Sequence, residues 1–315
     1  MADFGFESTT DDVLEGISLA GKTAVVTGAT AGLGIETSRA LASAGAAVFM
    51  LGRDAGKLAM AAAGVREQVR DATIETCIID LADLDSVRTA AADVLARAPQ
   101  INLLINNAGV MACPLMRTAQ GFEMQFGTNH LGHFLLTCLL APALQAGAPA
   151  RVVNLSSGGH RAGGLDFEDP NYQHRDYEKW QAYGQSKTAN ALFAVGLEAR
   201  LGASGVHAYA VHPGMISTEL GRHLDPDDID KLLNQRPSGQ LPRPKKISQG
   251  AATSVWAATA AELEGQGGVY LENCGVAEPA QPGSEGGVEP YALDSSGADR
   301  LWSLSEQLVG QEFRF

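Results

Sequence analysis

Short β-branched runs alternate with alanine-rich stretches along most of this chain. Seven runs have the composition of strands: TAVVTG, AAVFMLG, ETCIID, NLLINNAG, RVVNLSS, VHAYAVHPG and GGVYLE. The first is apolar on both faces, as a central strand of a parallel sheet should be. Between the runs we predict helices at roughly 33–44, 55–70, 84–97, 121–145, 179–201 and 248–260. This alternation predicts an α/β fold, with a doubly wound, mostly parallel seven-stranded sheet and helices on both faces.

Several of the predicted strands end in glycine or polar residues. These residues are Gly28, Asp80, Asn106, Ser157 and Pro213. Because the carboxyl ends of parallel strands meet at one edge of a doubly wound sheet, ligands bind there. We therefore expect the functional site along this edge.

The core shows no internal repeat and no linker, so we predict a single domain with additions at both ends. The expected division is an N-terminal extension at 1–20, the α/β domain at 21–275 and a C-terminal tail at 276–315 that ends in a helix. Polar, glycine-rich or proline-containing insertions at 158–182 and 222–247 follow strand ends. They could be lids over the site or variable surface decoration.

The charge balance argues against a nucleic-acid partner. The formal net charge is −13, and no basic face is visible in the sequence. The one basic cluster, Arg243, Lys245 and Lys246, lies between prolines and is interpreted as a solvated loop. An anionic ligand would approach against the overall field and would need a local positive site.

Cysteine spacing and hydropathy indicate a cytoplasmic protein without a membrane partner. No CxxC pair and no metal-ligand spacing is present, so we expect reduced thiols and no metal at Cys77, Cys113, Cys138 and Cys274. The acidic N-terminus lacks an apolar signal core. The stretch FLLTCLLAPAL is too short to cross a bilayer and is expected in a buried helix.

A glycine-rich turn, TGATAGLG, lies between the first predicted strand and the first helix of the domain. Gly28, Gly32 and Gly34 would allow a tight turn and a close approach of the backbone to a pyrophosphate at the helix N-terminus. Many strand-to-helix turns contain glycine. Here, however, the strand before, the helix after and the next strand match the context of a dinucleotide-binding fingerprint. The spacing is GxxxGxG, and the GK[ST] of a P-loop is absent.

The end of the second strand, MLGRD, favours NADP(H). Sites for NAD commonly hold an acidic residue here for the ribose hydroxyl, whereas this chain has Gly52 followed by Arg53. A guanidinium suits a 2′-phosphate. Arg53 could instead be a solvated loop charge, Asp54 weakens the argument, and Ala31 offers no second cation, so NAD(H) stays open.

Tyr183 and Lys187 stand one helical turn apart in WQAYGQSKTAN. A free tyrosine ionises near pH ~10. A neighbouring cation would lower that pKa and make the phenol a better acid or base. By itself, such a pair is more commonly found on a solvated helix face.

The ordered set TGxxxGxG, NNAG, a serine before YxxxK, and HPG resembles the short-chain dehydrogenase/reductase family over roughly residues 20–275. GTNHLGHFLLT, HPGMISTEL and the long interval between Ser157 and Tyr183 look like the retinol dehydrogenase and WW-domain oxidoreductase branch. The resemblance is weaker in the tail. It implies a Rossmann-type fold.

The resemblance also implies catalytic roles. Tyr183 would be the general acid in carbonyl reduction and the base in alcohol oxidation. Lys187 would lower its pKa and hold the nicotinamide ribose, and Asn129 would hold a water that connects Lys187 to solvent. Ser157 would bind the substrate oxygen. Ser156 is an alternative, but alternation along a strand points the two serines in opposite directions, and the branch pattern selects Ser157.

The motifs and the resemblance together give a set of expected contacts. For the cofactor these are Gly28, Thr30, Gly32, Leu33, Gly34, Arg53, Asp80, Leu81, Asn107, Ala108, Gly109, Tyr183, Lys187, Pro213, Gly214, Ile216 and Thr218. For the substrate they are Cys113, His160, Met215 and Tyr291.

The expected function is hydride transfer between NADP(H) and a small-molecule carbonyl or alcohol, a lipophilic or secondary-metabolite ketone or aldehyde. Reduction is the expected direction because NADPH is normally the reduced pool. The alternative is a non-catalytic NADP-binding sensor or scaffold on the same fold, since fold alone does not fix function. A different reaction of the superfamily, such as C=C reduction or epimerisation, fits the motif less well. Relatives pair through two long helices, which implies a homodimer or homotetramer unless the tail covers that face.

Overall fold

Eight strands form one sheet in the computed structural model, which describes residues 4–228, 230, 241–284 and 286–315. The strands are β1 Thr23–Thr27, β2 Ala47–Gly52, β3 Ile74–Ile78, β4 Leu103–Asn106, β5 Ala150–Leu155, β6 Val206–His212, β7 Val269–Glu272 and β8 Gly275–Val276. The helices are α1 Thr10–Leu14, α2 Gly32–Ser43, α3 Ala55–Gln68, α4 Leu84–Arg97, α5 Met124–Phe126, α6 Gly132–Ala146, α7 Lys179–Leu201, α8 Ile247–Thr259 and α9 Ser295–Val309.

The strand order is β3-β2-β1-β4-β5-β6-β7-β8, with parallel pairing from β3 to β7. The predicted mostly parallel α/β sheet is confirmed, but the predicted number of seven strands is wrong. The eighth, β8, pairs antiparallel with β7 after a turn in which Asn273 and Cys274 have φ of 50° and 56°. A two-residue strand is too short to show an alternating pattern, so β8 could not be predicted from the sequence.

The sheet is covered on both faces, which explains why its central strands are apolar throughout. In β1, Val25 packs into the core formed with α4, α6, α7 and α9, whereas Val26 packs into the core formed with α1, α2, α3 and α8. Each side chain is fully buried. Burial of one valine contributes roughly 1.5–3 kcal/mol, so both faces of each strand support the fold.

β1 lies between β2 and β4, so the direction of winding reverses at this strand. From β1 the chain crosses to β2 on one side, and from β3 it crosses back to β4 on the other side. A crevice therefore forms above the carboxyl end of β1. In open α/β sheets this reversal is the place where ligands bind. The glycine-rich turn follows β1 directly and therefore borders the crevice.

The helix predicted at 121–145 begins later and is not regular. It starts with α5, passes through a π-helical turn at Gly127–Leu131 and continues as α6. The side chain of Glu123 accepts hydrogen bonds from the backbone N–H groups of Gln125 and Phe126 at 2.9 and 2.7 Å and thereby fixes the start. A π turn leaves no clear trace in hydrophobic periodicity, and such turns are frequent at functional sites.

The insertions and the tail are packed against the domain where the structure describes them. In the insertion at 158–182, the last four residues belong to α7, and Asp169, Asn171 and Tyr172 are buried. In the insertion at 222–247, residues 229 and 231–240 lie outside the described residues. In the tail, Trp302 of α9 contacts the ring of Phe134 at a centroid distance of 5.0 Å. No helix in the described ranges is long and apolar enough to cross a membrane.

Candidate active site

One cavity of about 1480 Å³ lies along the carboxyl ends of the strands. It is larger than the roughly 300–1,000 Å³ typical of a site for one small ligand, so it has room for two. Every residue predicted to contact the cofactor lines it, from Gly28 after β1 to Thr218 after β6. The cavity thus joins segments that are widely separated in the sequence.

The glycine-rich turn has the tight geometry that its sequence predicts. Gly28 and Gly32 have φ of 65° and 51°, a region that favours glycine. Gly34 lies in the first turn of α2, where an added Cβ would stand 2.3 Å from the carbonyl oxygen of Gly28. The turn leaves the N-terminal N–H groups of α2 facing the cavity, an arrangement suited to the phosphates of a dinucleotide.

The end of β2 excludes an acidic side chain. A Cβ on Gly52 would lie 2.6 Å from Cγ2 of Thr30. Asp54 caps α3, since its Oδ1 accepts a hydrogen bond from the backbone N–H of Lys57 at 2.9 Å. Both Arg53 and Lys57 line the cavity. This corner therefore presents two cations, with the nearest carboxylate engaged in a helix cap.

A chain of hydrogen bonds joins the NNAG turn to the π turn. Oγ1 of Thr27 accepts from the backbone N–H groups of Asn107 and Ala108 at 2.9 and 3.0 Å and lies 2.8 Å from Nε2 of His133. Nδ1 of His133 lies 2.9 Å from the carbonyl oxygen of Asn129. A carbonyl only accepts, so His133 carries its proton on Nδ1 and accepts the Thr27 hydroxyl proton on Nε2. Its tautomer is thereby fixed.

Complete burial keeps His133 and its neighbour His130 uncharged. Desolvation lowers the pKa of His133 to about 4 and that of His130 to about 3. Nε2 of His130 lies 2.8 Å from Oγ of Ser305 in α9, and its ring packs against Phe126 and Phe193. Both histidines are structural parts of the wall behind the cavity.

We expect these two histidines to weaken the fold at acid pH. Their folded-state pKa values lie below the unfolded value of about 6.5, so the unfolded chain binds protons that the folded chain cannot. The contribution of the two histidines is full above about pH 6.5, and each histidine removes about 1.4 kcal/mol per pH unit as the pH falls toward 4. Urea unfolding at a series of pH values measures this slope, and His130→Phe should reduce it by one proton. A slope unchanged in His130→Phe would contradict the assignment.

Asn129, in the π turn, links this turn to Val110 and to Ser186 of α7. Its Oδ1 accepts from the N–H of Val110 at 2.8 Å, and its Nδ2 donates to the carbonyl of Val110 and to Oγ of Ser186, both at 2.9 Å. A Cβ added to Gly109 would lie 3.3 Å from Oδ1 of Asn129 and 3.7 Å from Nζ of Lys187. Asn129 therefore positions the turn that leads past Lys187.

Tyr183 and Lys187 lie on one face of α7 at the floor of the cavity. Burial raises the pKa of Tyr183 to about 12, while a hydrogen bond with Ser157 acts in the opposite direction. Burial lowers the pKa of Lys187 to about 7, and its Nζ donates to the carbonyl of Leu155 at 2.9 Å. A lowered pKa for Tyr183 was expected, but in this structure its pKa is raised, because desolvation of the phenol outweighs the hydrogen bond with Ser157.

The two serines after β5 point in opposite directions. Oγ of Ser156 donates to the backbone carbonyl of Lys187 at 2.8 Å, on the inner side of α7. Oγ of Ser157 accepts from the N–H of Gly159 at 3.0 Å and lies beside Tyr183. An added Cβ on Gly159 would approach Cε1 of Tyr183 to 2.8 Å. Ser157 and Tyr183 can therefore come together because Gly159, which lies against the Tyr183 ring, has no side chain.

The cavity has an apolar wall of seven side chains, while charged residues such as Arg161 and Glu219 line other positions. The apolar side chains are Val110, Met111, Met124, Trp180, Met215, Leu220 and Leu224. Sequence reasoning named Met215 alone among them. Trp180 could have been found, because it precedes Tyr183 by one turn of the same helix and must share its face.

Three of the four residues predicted to contact the substrate do not line this cavity. Cys113 is 1% exposed, and its carbonyl accepts a hydrogen bond from the Tyr177 hydroxyl at 2.9 Å. His160 is fully buried, with its ring bonded to Ser157 O and Glu289 N. The Tyr291 hydroxyl donates to His160 O at 2.8 Å. These hydrogen bonds indicate that all three residues support the fold and do not contact the substrate.

The interpretation of Lys245 as part of a solvated loop is wrong. Its side chain is 5% exposed and lines the cavity, while Arg243 and Lys246 are exposed as expected. The four cysteines are unpaired and buried. Within the described part of the chain, no three His, Cys, Asp or Glu side chains come close enough to hold a metal ion.

Comparison with known proteins finds the same fold and a family match. The family model for short chain dehydrogenases matches residues 22–229. Human retinol dehydrogenase 12 is 42% identical over 294 residues, which cover 93% of this chain and 88% of that protein. A crystal structure of an uncharacterized protein from Mycobacterium paratuberculosis is 37% identical, with a TM-score of 0.76 over 98% of this chain and 100% of that one. A gluconate 5-dehydrogenase from Burkholderia cenocepacia in complex with NADP and tartrate is 25% identical, with a TM-score of 0.64 over 81% and 94%.

Proposed function

The chain belongs to the short-chain dehydrogenase/reductase family, in the branch of the retinol dehydrogenases, and we propose that it is an NADP(H)-dependent oxidoreductase that interconverts a lipophilic ketone or aldehyde and its alcohol. The observation that carries the proposal is the meeting of Ser157, Tyr183 and Lys187 at the floor of the cavity that the glycine-rich turn also lines. A hydroxyl pair and an ammonium beside a dinucleotide cradle are the groups that carbonyl reduction needs.

Each polar group at the floor of the cavity has a proposed role. The Ser157 hydroxyl holds the substrate oxygen, and the Tyr183 hydroxyl gives it a proton as negative charge develops there. Lys187 holds the nicotinamide ribose, and Asn129 positions the turn beside it through the bonds to Val110. Bound nicotinamide supplies the hydride.

The proton states of this cluster favour reduction. With a pKa of about 12, Tyr183 keeps its proton at neutral pH and can donate to the more basic alkoxide. With a pKa of about 7, Lys187 exchanges protons readily near neutrality, which suits a group that reloads the phenol. Oxidation of an alcohol would require the ionised phenol and should therefore be favoured only at higher pH.

The corner at the end of β2 supports NADP(H) over NAD(H). Thr30 leaves no space for a carboxylate at position 52, and the carboxylate of Asp54 is engaged in capping α3. Arg53 and Lys57 are available to a 2′-phosphate, which carries nearly two negative charges. The NADP bound by the gluconate 5-dehydrogenase relative is consistent with this choice.

The apolar wall supports a lipophilic substrate. Trp180 provides aromatic surface next to Tyr183, and Met111 and Met124 line the same cavity with flexible side chains that adapt to ligands of varied shape. The relation to a retinol dehydrogenase agrees with a bulky apolar carbonyl compound. A small, highly polar sugar acid would leave this surface without favourable contacts.

We expect NADPH oxidation by the purified protein when it is supplied with a panel of apolar aldehydes and ketones. NADH should support a lower kcat/KM, because it lacks the phosphate that Arg53 and Lys57 can bind. Steady-state assays with both cofactors measure the preference, and Arg53→Ala should reduce it by about tenfold, the effect of one charge-assisted hydrogen bond.

The outcomes separate the parts of the proposal. A preference for NADH would refute the assignment of Arg53 but leave the oxidoreductase. Tight NADPH binding without turnover on any carbonyl would favour the alternative function, a sensor or scaffold that binds NADP. Turnover of hydrophilic carbonyls alone would contradict the role given to the apolar wall.

A further inference from the structure

Lys245 is a buried cation with no hydrogen-bond or ion-pair partner among the residues that the structure describes. Its side chain is 5% exposed, and burial lowers its pKa. Within residues 4–228, 230, 241–284 and 286–315, its ammonium forms no hydrogen bond or ion pair, and the ring of Phe6 lies 4.9 Å from Nζ, measured to the ring centroid. A buried charge without a partner is strongly unfavourable, so this position calls for an anionic ligand.

The backbone and the stem of Lys245 are held against the loop that follows β6. Its N–H donates to the carbonyl of Met215 at 2.8 Å, and it forms a parallel bridge with Ile216. A Cβ on Gly214 would lie 3.0 Å from Cδ and 3.2 Å from Cε of Lys245. Because Gly214 has no side chain, the lysine stem lies flat on this loop and carries the ammonium to the cavity wall.

The titratable groups around Lys245 do not neutralise its charge. Glu272, Cys274 and Glu7 are close enough to influence its charge, yet none of these described residues forms an ion pair with it. Glu272 accepts the N–H of Gly287 at 2.9 Å, and Glu7 pairs with Arg243 at 2.5 Å. The carboxylates of this region are therefore engaged elsewhere.

The loop under Lys245 adjoins the glycine-rich turn. A Cβ on Gly32 would lie 3.2 Å from Cγ2 of Thr218. A Cβ on Gly250, in the first turn of α8, would meet Ile216 at 2.5 Å and Leu33 at 3.0 Å. The loop on which Lys245 lies and the glycine-rich turn are thus in direct contact.

We propose that Lys245 is the cation of a phosphate subsite and binds the pyrophosphate of the dinucleotide from the side opposite the glycine-rich turn. This inference rests on the proposed function. The backbone N–H groups of α2 carry no full charge, and the chain as a whole has a net charge of −13, so a pyrophosphate needs a local cation. Lys245 lines the shared cavity with its charge unpaired.

Lys245→Met tests the subsite, because methionine keeps an apolar stem on Gly214 and removes only the charge. Titration calorimetry with NADPH, NADH and ADP-ribose should give dissociation constants about 10- to 100-fold higher than those of the unaltered protein. The effect should be similar for the three ligands, since all contain the pyrophosphate. Lys246→Met, which removes the adjacent exposed charge, should change none of them by more than about twofold.

Thermal unfolding distinguishes binding from a structural role. Without ligand, Lys245→Met should have an equal or higher Tm, because an unpaired buried ammonium is removed. At an NADPH concentration that saturates the unaltered protein, NADPH should raise the Tm of the variant less than it raises the Tm of the unaltered protein. A lower Tm without ligand, together with unchanged affinities, would mean that Lys245 only supports the fold.

Other results would overturn the proposal in recognisable ways. Dissociation constants unchanged for all three ligands would refute it while leaving the oxidoreductase. Weaker binding of NADPH alone would assign Lys245 to the 2′-phosphate instead. Unchanged cofactor affinities with a higher KM for carboxylate-bearing carbonyls would assign it to the substrate. If the unaltered protein binds no dinucleotide, the proposed function fails as well.

Discussion

Tyr183→Phe should lower kcat for carbonyl reduction by about 10²- to 10⁴-fold, the usual contribution of a positioned general acid. The variant keeps the ring and loses only the hydroxyl that lies beside Ser157. The developing alkoxide then has no acid at hydrogen-bond distance and must take its proton from water. Steady-state kinetics with NADPH and the best carbonyl of the panel measure the loss.

Cofactor affinity should stay within about threefold in Tyr183→Phe, because the phenylalanine ring keeps the same packing. It still contacts Trp180, at 6.4 Å between centroids, and still lies against Gly159. A loss of kcat with unchanged binding is the signature of an interaction made in the transition state. Fluorescence titration with NADPH checks the binding half of this expectation.

Tyr177→Phe is the matched control. Its half-buried hydroxyl bonds to the Cys113 carbonyl at 2.9 Å and to Glu123 Oε1 at 3.2 Å, and Tyr177 does not line the cavity. Its removal should lower the free energy of unfolding by about 1–3 kcal/mol and leave kcat within a few-fold. If Tyr183→Phe retains full kcat, or if both variants lose activity in parallel with stability, Tyr183 is not the proton donor.

The cofactor end of the site could be predicted from sequence because its determinants are local. Gly28 and Gly32 have positive φ, and their spacing in the chain reports that backbone need directly. The pair Gly52 and Arg53 is likewise a local signal, because the residues that favour NADP(H) are adjacent in the sequence. Residues chosen on such grounds all line the same cavity.

Lys245 could not be placed from sequence because its burial depends on distant residues. Locally it stands among prolines and charges, a composition typical of exposed loops. It is buried by Gly214 and by Phe6, which belongs to the opposite end of the chain. No pattern within a few residues of Lys245 carries that information.

The pKa of Tyr183 shows where pairwise reasoning fails. A nearby cation lowers a phenol pKa, whereas burial raises it because burial disfavours the phenolate. Here Tyr183 is 4% exposed and Lys187 is also 4% exposed, so desolvation penalises the charged form of both. The sequence reveals the spacing of the pair, but it does not reveal how deeply α7 is buried.

The substrate side was predicted poorly because loop side chains have no period that fixes their direction. His160 follows Ser157 closely, yet its ring turns inward to Tyr270 at 4.9 Å between centroids. Met111 and Met124 turn toward the cavity without a distinguishing motif. Specificity therefore depends on residues that only the folded chain identifies.

Gly34→Ala should lower the free energy of unfolding by about 1–3 kcal/mol, the range for forced overpacking. Its Cβ would lie 2.3 Å from the carbonyl oxygen of Gly28 and 2.7 Å from Nδ2 of Asn107. Backbone cannot yield as a flexible side chain can, so the turn must open. Because the opened turn no longer fits a pyrophosphate, NADPH should bind about tenfold more weakly or worse. Urea unfolding and calorimetric titration measure the two effects.

Gly64→Ala provides the same chemical change without the contact. Gly64 lies in α3, and no heavy atom stands within 4 Å of its added Cβ. Alanine is the better helix former by about 0.8–1 kcal/mol, so this variant should be more stable than the unaltered protein and bind NADPH equally well. Opposite signs in the two variants would isolate the close approach of α2 to β1 as their cause. Equal stabilities and equal affinities would mean that the turn can relax without cost, and the dinucleotide would then not depend on its tightness.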